Sequence, residues 1–297
     1  MKVLAFGEVL WDFINGDKYF GGAPLNFAAH VIKSGGESAI VTALGDDKFG
    51  DDALLGIQEL GIKDEFVQRV PGMVTGRVMV FLINDQPSYR ITKDVAYDHI
   101  DESKLQIARI TEYDAFYFGT LSQRSEKTRQ ALYHILKNQR FKHVFYDVNL
   151  RKECYTMENV RESLKYCTIL KLNDEELTEC SKLLFGKQQD VKDFVIKIQS
   201  EFNNVKIILI TYGDQGCTLI TDKEYYDVPG NAIELKDAVG AGDAFCAGFL
   251  TTYMRTNDPR KSVRIGNLIG SYVASENGAV PEYTAAFARK IEILGNQ

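Results

Sequence analysis

The sequence predicts an α/β fold whose central sheet is mostly parallel and covered by helices on both faces. Two observations carry that expectation. Short β-rich runs alternate with helical patterns along most of the chain, the mark of βαβ units. The runs "VFYDVNLR", "TILKLNDEE" and "IILITYG" also end on polar residues: Asp147, Asn149 and Arg151, then Asn173 and Glu176, then Thr211 and Gly213. Ligands of open parallel sheets bind beyond the carboxyl ends of the strands, so these strand ends point to one functional edge.

Taken in order, "VLAFGEV" is the first strand and "AIVTAL" the next of the main sheet. "DDALLGIQELG" reads as a helix stopped by Gly61, because glycine reaches the left-handed backbone that ends helices. "ESKLQIARI" reads as a further helix, followed by the strand "DAFYFG". "SEKTRQALYHILKNQ" has apolar residues at helical spacing, with Ser125 as N-cap and Lys127 and Arg129 outward. "HVFYDVN" and "TILKLN" are strands, and "QDVKDFVIKIQSEF" is a helix capped by Asp190. "VKIILITYG" and "GCTLITD" close the strand series. Two stretches break the rhythm. Residues 12–20 follow the first strand without a helix, and residues 73–97 form two β-like runs around "NDQP". Both suit a small sheet, a lid, hanging over the functional edge of a single domain spanning 1–297.

Composition narrows the function classes. The chain has 297 residues, 45% hydrophobic and 26% charged, ordinary values for a globular protein able to bury a large core. A net charge of −6 without a Lys/Arg cluster speaks against a nucleic-acid partner. No window of about 18 apolar residues suggests a membrane span, and Glu8 and Asp12 interrupt the apolar N-terminal run that a signal peptide would need. The cysteines at 154, 167, 180, 217 and 246 form no C-x-x-C pair and are odd in number. That pattern predicts reduced thiols and a cytoplasmic protein. His30, His99, His134 and His143 show no metal spacing.

The stretch "KDAVGAGDAFCAGFLTTY" carries the chemistry. Gly240 and Gly242 allow backbone angles closed to other residues, so successive amides can converge on one point. The helix that follows adds its positive N-terminal end, and together they make an anion cradle. Asp243 stands at its mouth. A carboxylate there is either an ordinary helix cap or a base that takes a proton from an attacking hydroxyl. The chain has neither G-x-x-x-x-G-K-[ST] nor G-x-G-x-x-G after its first strand, which excludes a Walker A site and a dinucleotide turn.

"DAVGAGDAF" together with "GGAPLNFAAH" resembles the two signatures of the ribokinase-like, PfkB-type carbohydrate kinases. The resemblance extends from "FGEVLWD" to "ENGAVPEY". It implies a three-layer αβα fold with a β-sheet lid. It implies that Asp243 is the base and that Gly240, Ala241 and Gly242 form the anion hole, with Asp237 opening the motif. Asp12, Gly22 and Asn26 resemble sugar-site residues, and Arg151 would reach the sugar or its phosphate. Asn173 and Glu176 match an N-x-x-E element that organises Mg²⁺ and phosphate, Glu176 through water. Thr211, Gly213, Gly216 and Asn267 resemble the nucleotide side, with ATP as co-substrate. The family's usual threonine is Ala238 here, which costs the turn a hydroxyl but keeps its amides. A potassium site beside the loop, built mostly of carbonyls, is left open by the sequence.

Within the family, "GEVLWD", "GGAPLNFAAH", "VTGRV" and "DVNLR" look most like a fructokinase. The alternatives are 2-keto-3-deoxygluconate kinase, whose acid substrate would want Arg77, Tyr89 and Arg90 of the lid, and a nucleoside kinase. A non-catalytic sensor on the same fold is a rival disfavoured by the intact Gly-Ala-Gly-Asp. Exposed lid edges, with the resemblance, also imply a homodimer through the lid.

Overall fold

The computed structural model describes residues 1–14, 16–83 and 86–296, and the side chains of these except 80–83, 86–89 and 296. The strands are β1 (Lys2–Phe6), β2 (Leu10–Ile14), β3 (Asp17–Gly21), β4 (Glu37–Gly45), β5 (Val67–Val70), β6 (Gly76–Ile83), β7 (Gln86–Ile91), β8 (Ala115–Phe118), β9 (His143–Asp147), β10 (Ile169–Asn173), β11 (Ile207–Thr211), β12 (Gly216–Ile220) and β13 (Tyr225–Pro229). The α-helices are α1 (Ala23–Lys33), α2 (Lys48–Glu59), α3 (Ile107–Ile110), α4 (Glu126–Asn138), α5 (Met157–Leu164), α6 (Asp174–Phe185), α7 (Val191–Glu201), α8 (Ala241–Thr256), α9 (Pro259–Ala274) and α10 (Ala285–Asn296).

The main sheet runs β13-β12-β11-β10-β9-β8-β1-β4-β5. Its β11-β10-β9-β8-β1-β4-β5 part is parallel, and β12 and β13 are added antiparallel at one edge. Strand period sorts the core into two layers. Val3 and Ala5 of β1 face Phe27 of α1 and Phe249 of α8, whereas Leu4 and Phe6 face Leu132 of α4 and Phe194 of α7. Both faces of the sheet are buried, which explains the near-continuous apolar runs of these strands. The chain order reverses between β1 and β8, and such a switch point opens a crevice at the carboxyl ends of the strands.

The two irregular stretches of the sequence form one small sheet, β3-β2-β6-β7. It is mixed: β2 pairs β3 antiparallel and β6 parallel, and β6 pairs β7 antiparallel. Residues 84 and 85 of the "NDQP" turn, and the side chain of residue 89, lie outside what is described.

Some local expectations change. "ESKLQIARI" is not one helix: a 3₁₀ turn covers Glu102–Lys104 and α3 only Ile107–Ile110. Asp101 accepts from both the amide and the hydroxyl of Ser103. This local bonding offers the backbone an alternative to the helical ladder. Ser125 sits at the N-cap of α4 but makes no cap bond, because its hydroxyl donates to the Asp98 carbonyl. Helix α2 starts at Lys48, earlier than the periodicity suggests, because Asp47 accepts from the Gly50 amide at 2.9 Å. Asp190 does cap α7, accepting from the Asp193 amide at 2.8 Å. The five cysteines are free and buried, and among the described residues no helix is long and apolar enough to cross a membrane.

Candidate active site

Helix α8 begins at Ala241, with Gly240 as its N-cap at φ +79°. A Cβ on Gly240 would sit 2.4 Å from the Ala279 carbonyl oxygen, so only glycine fits this turn. Asp237 fixes the loop from below, its two carboxylate oxygens accepting from the Val239 and Gly278 amides at 3.0 and 3.2 Å. The exposed Gly242 then leads into the buried Asp243.

The alternative of a capping aspartate fails on geometry. Asp243 is the third residue of α8 and makes no cap bond. Instead its Oδ2 accepts from Nδ2 of Asn26 on α1 at 2.9 Å. A buried carboxylate held by one neutral amide is poorly compensated. Burial, then the nearby Asp147 charge, pushes its pKa up to about 7, against the opposing pull of Asn26, Lys171 and Arg151.

Behind the loop lies a charge pair that sequence reasoning missed. Lys171 of β10 and Asp147 of β9 are register partners in the parallel ladder. Strand alternation turns both toward α8, the same side as Phe145 and Ile169. Their charges meet at 3.1 Å, both side chains almost wholly buried. Tyr117 Oη donates to Asp147 Oδ2 at 3.0 Å, and the Cys246 thiol lies 3.9 Å from the same oxygen. Burial works against the Lys171 ammonium, but Asp147 and Glu176 more than offset it and its pKa is raised. The point where a Gly242 Cβ would sit is 3.7 Å from Lys171 Nζ, so a permanent cation backs the glycine loop. The available signal was a lone lysine between leucines in "TILKLN", a strand otherwise apolar on both faces.

The predicted sugar residues gather beside Asp243. A Cβ on Gly21 would lie 3.6 Å from Asp12 Oδ2 and 3.8 Å from Asn26 Oδ1, so both acceptors border the space this glycine leaves open. Gly22, at φ +122°, would bring a Cβ to 2.5 Å from the Glu8 carbonyl oxygen. Burial lifts Asp12 to about 6, with Arg151 opposing. Arg151 is exposed, and its charge acts on both Asp12 and Asp243.

The remaining predicted residues lie farther along the same strand edge. Asn173 and Glu176 form a reciprocal cap on α6: Asn173 Oδ1 accepts from the Glu176 amide at 2.7 Å, and Glu176 Oε2 accepts from the Asn173 amide at 2.8 Å. Glu176 Oε1 accepts from the Leu150 amide at 3.0 Å. Thr211 pairs with Asn173 in the ladder. Gly213 follows it at φ +58° in a short 3₁₀ turn. Gly216 opens β12 where a Cβ would meet the Val228 carbonyl oxygen at 2.1 Å, so a close backbone approach already requires this glycine. Asn267 on α9 donates from Nδ2 to the Pro229 carbonyl at 2.9 Å, tying α9 to the end of β13. In the lid, Arg77 is engaged by Asp47 at 2.8 Å and lies over the Phe49 ring.

On this layered fold, a buried carboxylate beside a glycine-built helix start, with polar acceptors near it, is an arrangement suited to hydroxyl and anion chemistry. The chain belongs to the pfkB family of carbohydrate kinases, whose profile matches residues 3–285. A probable fructokinase-5 of Arabidopsis thaliana is 27% identical over 318 residues, covering 97% of this chain and 96% of the relative. The fold is similar to that of a fructokinase with bound ATP from Xylella fastidiosa (TM-score 0.86, 20% identity, 100% and 99% of the two chains). It is similar as well to a fructokinase from Vibrio cholerae in its fructose, ADP and calcium-bound form (TM-score 0.82, 22% identity, 98% of each chain).

Proposed function

We propose that this carbohydrate kinase transfers the γ-phosphate of Mg-ATP to the primary hydroxyl of a ketohexose, fructose, giving fructose 6-phosphate. The observation that carries the reading is the Asp243 carboxylate, freed from any capping role and held by Asn26 beside a glycine loop backed by Lys171. A base with a pKa near 7 is suited to take the proton of an attacking hydroxyl at neutral pH. The amides of Gly240 and Gly242 and the α8 terminus would meet the charge that spreads over a transferring phosphoryl group, and the Ala241 amide, which here donates to the Ala238 carbonyl at 3.3 Å, would turn from it to join them.

Asp12, Gly22 and Asn26 hold the sugar hydroxyls, and Arg151 guides the sugar or its phosphate. The lid closes over them and keeps water, the competing acceptor, away from the phosphoryl group. Thr211, Gly213, Gly216, Asn173 and Asn267 line the nucleotide side. Magnesium fits the donor set: Glu176 spends one acceptor site of each oxygen on an amide and keeps others for water, and a hydrated Mg²⁺ needs such outer acceptors rather than a protein cage. Bound with ATP, the ion would screen the phosphate charge.

The fructokinase relative and the fructose- and ADP-bound neighbour support fructose as substrate. Of the lid cations that a keto acid would want, Arg77 is already paired with Asp47. The chain acts as one cytoplasmic domain, paired through its lid. A coupled ADP-release assay with fructose, 2-keto-3-deoxygluconate, ribose and adenosine tests the reading, with Asp243→Asn beside the wild type. Fructose turnover that is lost in the variant is expected. Preference for the keto acid would replace the substrate, and no turnover at all would bring forward a sensor role.

A further inference from the structure

Helix α1 reaches the surroundings of the glycine loop at two points, and only one of them, Asn26, has a part in the mechanism above. Four residues on, one turn along the same helix face, stands the fully buried His30. Its Nε2 lies 2.9 Å from the Ala279 carbonyl oxygen and its Nδ1 2.8 Å from Tyr283 Oη. Burial pushes its pKa down to about 4, so the ring is neutral near neutral pH and carries one N–H. A carbonyl only accepts. The proton therefore stands on Nε2, which donates to Ala279, and Nδ1 accepts from the Tyr283 hydroxyl. The Tyr283 ring stacks against the imidazole, 5.8 Å between centroids.

The oxygen that His30 holds is the wall of the α8 turn. It lies 2.4 Å from where a Gly240 Cβ would be, and the Ala279 Cα and Cβ lie 2.7 and 2.8 Å from the same point. The neighbouring Gly278 amide donates to Asp237 Oδ2 at 3.2 Å. Gly278 and Ala279 are thus pinned between Asp237 and His30, and Ala279 packs directly on the residue whose left-handed turn starts α8. One helix fixes both parts of the site: Asn26 holds the Asp243 carboxylate at 2.9 Å, and His30, a turn later, holds the wall of the loop beside it. Any buried histidine must bond its nitrogens. This one differs in that its acceptor is the carbonyl seated against Gly240.

Resting on the sugar-kinase reading above, we propose that His30 is a positioning residue: through the Ala279 carbonyl it sets the Gly240–Gly242 turn against Asp243, and so aligns the transferring phosphoryl group with the attacking hydroxyl. It acts on turnover rather than on binding.

Two neutral amides separate its two bonds. His30→Gln places an amide nitrogen near the Nε2 position and keeps the donor to Ala279. His30→Asn ends near the Nδ1 position, keeps an acceptor for Tyr283 and falls short of Ala279. Steady-state kinetics use the preferred sugar of the wild-type panel, well below each variant's melting temperature. His30→Asn is expected to lose about 10- to 100-fold in kcat, the cost of a small misplacement of reacting groups. Its KM for sugar and for ATP should stay within about threefold of wild type, and so should the kcat of His30→Gln. Equal losses in the two variants, a loss carried by KM, or an unchanged kcat in His30→Asn would leave His30 a structural role and overturn the proposal.

If His30→Asn does not fold, Tyr283→Phe reads the same linkage. It keeps the stacked ring and frees Nδ1, so the proton can leave Nε2. Its kcat should fall about 3- to 10-fold, the worth of one hydrogen bond, in the wild-type background and not in the His30→Gln background. A fall of the same size in both backgrounds, or in neither, overturns the proposal. A wild type that turns over its sugar while these expectations fail overturns the proposal alone. A wild type that turns over no sugar of the panel overturns the parent reading with it.

Discussion

Asp243 is where the chemistry and the electrostatics meet. Only its ionised form can accept a proton, and burial has moved its pKa up to about 7. Activity should therefore fall as pH drops through about 7, visible in a pH profile of kcat/KM under saturating ATP. Asp243→Asn should lower kcat by about 10²- to 10⁴-fold with little change in ATP affinity; a variant keeping most of its turnover would remove Asp243 from the role. The same shift has a stability consequence of definite sign. Between the ordinary aspartate pKa of 3.8 and about 7 the folded state binds more protons at this site than the unfolded chain. This site's contribution to stability is thus fully present below 3.8 and is lost as pH rises through about 7. Asp243→Asn removes that slope, so its melting temperature should gain on the wild type between pH 5 and pH 8, by thermal denaturation.

Two elements hold the glycine loop in place, and each can be broken separately. The β9–β10 pair of Asp147 and Lys171 is buried on the α8 face. Lys171→Met leaves an uncompensated charge and should cost about 3–5 kcal/mol, measured by chemical denaturation. Adding Asp147→Leu should recover most of that stability, because a well-packed apolar pair replaces a buried ion pair at little net cost. Turnover should stay low in the double variant, because the cation beside Gly242 is gone; recovered activity would leave Lys171 a purely structural role. The α8 turn is the second element. Gly240→Ala places a methyl 2.4 Å from the Ala279 carbonyl oxygen at φ +79°. It should cost about 1–3 kcal/mol and lower kcat more than it raises sugar KM, since it displaces the proposed anion hole and spares Asp12 and Asn26. Steady-state kinetics beside a melting curve would check both.

At the scale of the molecule, β3 and β7 are the edge strands of the lid sheet among the described residues. Unpaired strand edges invite pairing, and the half-exposed Tyr19 on β3 adds apolar surface there. The proposed homodimer predicts a two-chain species in sedimentation velocity at micromolar concentration; monomer alone would end it.

How far the sequence reached follows from the range of the forces involved. The alternation of "VLAF" and "TILKLN" with amphipathic helices fixed a parallel layered sheet, because period and burial are written locally. Gly240, Gly242 and Asp243 were legible for the same reason: a turn, a helix start and a carboxylate are neighbours in the chain. The helix expected over 102–110 failed because the Asp101 side chain competes for its backbone, a contest periodicity does not register. Only the tertiary structure decided that Asn26, 217 residues away, holds Asp243 and frees it from capping. It alone set Lys171 against Asp147 behind the loop, since pairing between strands depends on sheet order and register. The sequence by itself determined the class of chemistry through local motifs. Burial, which raises the pKa of Asp243, is a property of the assembled core.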